Sequence, residues 1–72
     1  MSYQLFEVWQ EDDEGHEQLI STTASKKEAM NLAEQALKDA NGIVAIYQEN
    51  EEMDLDEVCR LTKDDAGAII NV

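Results

Sequence analysis

The stretch from residue 25 to residue 40 constrains this chain most, because it is the one long segment with a clear period. Ala29, Leu32, Ala33, Ala36, Leu37 and Ala40 recur at the i, i+3, i+4, i+7 spacing that lines one face of a helix. Ser25 followed three residues later by Glu28 predicts a capping box, the Ser oxygen accepting a first-turn N–H and the Glu reaching back to the cap. Asn41-Gly42 predicts the end, since both residues tolerate left-handed backbone. Glu34 and Lys38, four apart on the wet side, are placed to pair. A stripe made largely of Ala suits close approach to a sheet built from the flanking segments.

Those flanks carry strand signals. Tyr3 to Gln10 is rich in aromatic and β-branched residues and runs into the turn-like Glu11-Asp12-Asp13-Glu14-Gly15, so His16 to Thr22 is expected to return as a hairpin. Ile43 to Gln48 and Glu57 to Thr62 read as a third and a fourth strand, separated by Glu49-Asn50-Glu51-Glu52-Met53-Asp54. Residues 64 to 72 allow a short helix capped by Thr62 with Asp65, an edge strand on Ile69-Ile70-Asn71-Val72, or a flexible tail. No internal repeat is evident. The expected class is α+β: one domain over residues 1–72, in the order ββαββ, with a four-stranded, mainly antiparallel sheet and the helix on one face. This order is similar to the β-grasp or protein-G-like arrangement, which implies that the first and last strands run side by side in the middle; a likeness of element order carries no function.

The parity of the first strand decides which side chains the helix covers. Were Tyr3, Leu5 and Trp9 to point inward, Glu7 would enter the core, and an unpaired buried carboxylate is costly. Phe6 and Val8 are therefore expected inside with Val44, Ile46, Cys59 and Leu61. The opposite parity would make the larger aromatics core. With Phe6 and Val8 inside, the uncovered face shows Tyr3, Leu5, Trp9, Ala45, Tyr47 and Arg60, and Glu7 can pair with Arg60 across strands.

Charge bounds the partners. Seventeen Asp and Glu oppose five Lys and Arg, a formal net charge of -12 at pH 7 on 72 residues. Lys26, Lys27 and Lys38 balance Glu28, Glu34 and Asp39 within the helix, so the surplus lies in the flanks. Nucleic acid and anionic membrane are poor ligands for such a surface, because phosphate binding rests on Lys and Arg. Crowding of like charges predicts raised carboxylate pKa values and stability that grows on mild acidification. The segment MSYQLFEVWQ has no basic n-region or continuous apolar run, so no export or membrane insertion is expected from it, and the single Cys59 fits the cytoplasm better than an oxidising compartment.

Catalytic chemistry finds little purchase. His16 is the only His and Cys59 the only Cys; they fall in separate elements, whereas a thiolate nucleophile needs its imidazole close by. Carboxylate pairs are abundant, but glycoside cleavage also needs a deep cleft that a one-helix domain seldom forms. The cluster Glu11, Asp12, Asp13, Glu14, His16, Glu17 is oxygen-rich as Ca²⁺ requires, yet placing Gly15 at position six of an EF-hand loop puts Gln10 at position one, where an acid belongs.

The expected function is a non-enzymatic protein-interaction domain that binds a basic partner, without a cofactor or a metal. Its candidate contacts are Glu11, Asp12, Asp13 and Glu14, Glu49, Glu51, Glu52 and Asp54, and the uncovered Tyr3, Trp9, Tyr47 and Arg60. The alternatives are a phage- or plasmid-type inhibitor whose carboxylates imitate nucleic-acid phosphates, and a weak divalent-cation binder. A homodimer through the uncovered face would supply burial that a small monomer lacks.

Overall fold

The computed structural model describes residues 5–39 and 42–72. The readings that fall on Tyr3, Ala40 and Asn41 lie outside the described residues. The elements are β1 (Phe6–Glu11), β2 (Glu17–Thr23), α1 (Lys26–Asp39), β3 (Ile43–Glu49), β4 (Leu55–Lys63) and β5 (Ile69–Asn71).

The α+β class holds, but the sheet has five strands in the order β2-β1-β3-β4-β5, every pair antiparallel. This corrects the four-stranded ββαββ reading and its β-grasp likeness. The first strand lies beside β3, and the last strand is an edge. Of the three readings of the tail, the edge strand is the one formed. Apolar Ile69 packs on the core margin, and the chain continues as far as a Val72 N–H to Arg60 carbonyl bond.

The helix begins as its sequence requires, with the Ser25 hydroxyl accepting from the Glu28 N–H at 3.4 Å and the Ser25 carbonyl from Ala29 N–H. Its Glu28 departs from the expected capping box. Instead of returning to the cap, the carboxylate accepts a 2.6 Å bond from the Thr23 hydroxyl, whose oxygen in turn accepts from Ser25 N–H at 3.3 Å. Thr23 is buried, and a hydroxyl held between a donor and an acceptor avoids the cost of an unpaired polar group there. No ion pair joins Glu34 to Lys38 among the described residues.

Ala29, Ala33 and Leu37 are fully buried against Phe6, Val8, Val44, Ile46 and Leu61, the set that the Glu7 argument places beneath the helix. Cross-strand pairs explain the match: Val8 stands opposite Ile46, and Val44 opposite Leu61. Cys59 joins this face at the margin, its thiol 3.6 Å from the Met30 sulfur, and burial raises its pKa. Gly42 opens β3 at φ +121 directly against β1, where a Cβ would collide with the Glu11 carbonyl oxygen.

The three hairpin links share one geometry that sequence reading missed. In Asp12-Asp13-Glu14-Gly15-His16, Asn50-Glu51-Glu52-Met53-Asp54 and Asp64-Asp65-Ala66-Gly67-Ala68, the first residue's N–H donates to the fifth carbonyl, and its carbonyl accepts from the fourth N–H. Its side-chain oxygen accepts from the third and fifth N–H groups, at 2.8 to 3.0 Å throughout. The fourth residue is left-handed in each: Gly15 at φ 86, Met53 at φ 65, Gly67 at φ 85. An Asp or Asn opening, a type I turn and a left-handed fourth residue together make a three-residue hairpin loop with a bulge.

Candidate functional site

Antiparallel pairing decides where the acids go. Glu11 pairs with Ile43 and Ile43 with Thr62, so the 12–16 and 64–68 links crown one end of the sheet. The 50–54 link crowns the other, beyond a β3 whose seven residues span roughly 20 Å. Asp12, Asp13 and Glu14 therefore sit at one end and Glu51, Glu52 and Asp54 at the opposite end; they form two caps and not one patch. These link residues are exposed.

Asp12 is committed to its loop. Backbone N–H groups of His16 and then Glu14 hold its carboxyl below the ordinary carboxylate range, with the His16 ring, 3.4 Å away, adding to the effect. That is the reverse of the upward shift expected from crowded acids. Among the described residues no group of three or more His, Cys, Asp or Glu is placed to hold a metal ion.

Between the caps lies the uncovered face of the sheet. Reading across the strands, one row runs Leu19, Trp9, Ala45, Arg60, and its neighbour runs Thr22, Glu7, Tyr47, Glu57. Towards the 12–16 link a third row runs Glu17, Glu11, Ile43, Thr62, Ile70. Trp9 and Tyr47 are half-buried here, while Ala45 beneath them is 6% exposed. Leu5, Leu19, Leu55 and Ile70 remain exposed.

The polar groups of this face are fixed by one another. Trp9 Nε1 donates to Glu7 Oε1 at 2.9 Å, and Arg60 Nε donates to Glu57 Oε1 at 2.8 Å while its Nη1 lies 3.9 Å from Glu11 Oε2. The expected Glu7–Arg60 pair does not form, because register sets Arg60 opposite Ala45 and Glu7 opposite Tyr47. Glu57, and secondarily Tyr47, raise the Arg60 pKa further above its ordinary value. Trp9, Tyr47 and Arg60 thus come together, and Glu11 and Glu49 belong with them on this face rather than with the link acids.

Sequence reading missed Glu17, Glu57 and Ile43 as parts of this surface. Alternation from Trp9 along β1 marks Glu11, but reaching Glu17 and Glu57 requires the bulges that leave Ile20 and Val58 without a partner in the register. Shallow hollows mark the sheet among the described residues. One is a crease bordered by Trp9, Glu11, Glu17, Ile43, Ala45 and Arg60, too narrow to admit water. Another, about 400 Å³ and wide open, lies beside Gly42, Thr62, Lys63, Asp64, Asp65 and Gly67. No helix of the described residues is long and apolar enough to cross a membrane.

Comparison with known proteins finds no matching family model, and neither a curated protein nor a solved structure that matches the chain.

Proposed function

We propose that this chain is a non-enzymatic protein-interaction domain for a basic protein partner. The observation that supports it is the scarcity of internal neutralisation. Among the described residues the Lys and Arg ion pairs are Arg60 with Glu57 and Arg60 with Glu11, in a chain of net charge -12. Carboxylates left to solvent in this number create a field that attracts a cationic surface and speeds encounter, at some cost in self-repulsion.

The two caps extend that field over both ends of the sheet, and the uncovered face between them supplies apolar contact area. If the basic partner is itself a DNA- or RNA-binding protein, the chain acts as a mimic inhibitor, and duplex DNA then competes with it for the partner.

Capture from native lysate at low and high salt tests the reading, comparing the natural chain with one carrying Asp13→Asn, Glu14→Gln, Glu51→Gln and Glu52→Gln. Basic proteins recovered at low salt, lost at high salt and depleted by the variant are the expected result. Recovery that is neither basic nor salt-sensitive would overturn it.

A further inference from the structure

Glu11 and Glu17 stand directly opposite each other across β1 and β2, an arrangement of like charges that costs stability in an antiparallel pair. Among the described residues no Lys or Arg of the chain comes within ion-pair distance of Glu17, and Arg60, engaged with Glu57 at 2.8 Å, approaches Glu11 to 3.9 Å. Beside them the indole of Trp9 has its N–H occupied by Glu7. An aromatic ring next to two opposed carboxylates is complementary to a guanidinium or ammonium group, through cation–π attraction and charge-assisted hydrogen bonds.

We propose that the uncovered sheet face is the docking surface for a polypeptide segment that alternates basic and apolar residues, with one Lys or Arg side chain lying against Trp9 between Glu11 and Glu17. This rests on the basic-partner reading and adds the place and the chemistry of contact. Among the described residues the face presents Glu7, Glu11, Glu17, Glu49 and Glu57 against the single cation Arg60, so its surroundings are anionic. A second copy of the chain would bring the same carboxylates face to face and is repelled. A metal ion or polyamine leaves Leu19, Tyr47 and Leu55 without apolar contact, whereas alternating side chains fill both demands.

The test is titration of the full chain with an alternating arginine–leucine peptide at low salt, followed by Trp9 fluorescence and backbone amide shifts, with spermine and an alternating glutamate–leucine peptide alongside. Expected are shifts over β1, β2 and β3 with a change in Trp9 emission, at most weak binding of spermine and none of the acidic peptide. Glu11→Gln with Glu17→Gln should weaken binding roughly tenfold, and Glu51→Gln with Glu52→Gln by less than about threefold. Removing a like-charge pair does not threaten folding, so a loss reports binding.

Shifts confined to the hairpin links, or spermine binding as tightly as the peptide, would overturn the docking site and leave the basic-partner reading standing. Self-association through this face would also overturn it. Absence of any binding by the cationic peptide would remove both.

Discussion

The two faces of this sheet are made from alternate residues of the same strands, yet they have opposite characters. On the helix side, Val8, Val44, Ile46 and Leu61 are at most 3% exposed and carry no polar group; on the other, Trp9 and Tyr47 are larger but only half-buried, each beside a carboxylate. Size of side chain therefore did not decide which face became core. Glu7 did, because an ionised carboxylate inside the apolar stripe costs more than exposing part of an indole.

The largest test of this difference is a pair of adjacent truncations. Ile46→Ala should destabilise by about 2–5 kcal/mol, since it empties a fully enclosed site. Tyr47→Ala, one residue on and facing the other way, should cost about 1 kcal/mol in urea unfolding. A reversed order would mean that the aromatic face is the true core.

The hairpin links belong to neither face, and their shared geometry sharpens the contrast. Met53 holds a left-handed position that Gly15 and Gly67 occupy in the other two links, and the residue is 82% exposed. Met53→Gly should raise stability by roughly 1 kcal/mol while leaving binding to the arginine–leucine peptide unchanged. Lower stability would show that Met53 makes contacts that outweigh its backbone strain.

On the uncovered face, Glu11→Gln with Glu17→Gln should stabilise by about 0.2–1 kcal/mol in the same unfolding measurement while impairing binding. Opposite signs for stability and function are the mark of a strained functional pair; a loss of both would make these residues structural.

The smallest effect lies at Asp12. Its folded pKa is below the ordinary 3.8, so its contribution is present above that value and fades as pH falls through 3.8 towards the folded pKa. Asp12→Asn keeps an oxygen acceptor, as Asn50 does in its own link, and removes the titration. Thermal melts from neutral pH to about pH 3 should therefore fall less steeply for Asp12→Asn than for the natural chain. Parallel curves would show that the loop carboxylate has no linkage to folding.

Much of this architecture is legible in the residues. The 3.6-residue period of Ala29, Ala33 and Leu37, the Ser25 cap and the cost of burying Glu7 are local or nearly local, and they reached the right helix and the right parity. The reading faltered where partners lie far apart in the chain. β5 is a three-residue strand that exists because β4 offers an edge; closer in the chain, Glu28 left its expected cap bond because the Thr23 hydroxyl, held at the end of β2, donates to its carboxylate. The repeated links escaped notice because the second has Met53 where glycine would have announced the pattern.

Alone, the amino-acid order settled which residues could be apolar core, where the helix had to start and how little positive charge was available to offset the acids, since each follows from composition or from neighbours within a turn. Tertiary pairing decided the rest. It joined β1 to β3, sent the two acidic links to opposite ends and set Glu17 against Glu11 beside Trp9, because strand order and register depend on which edges meet after collapse.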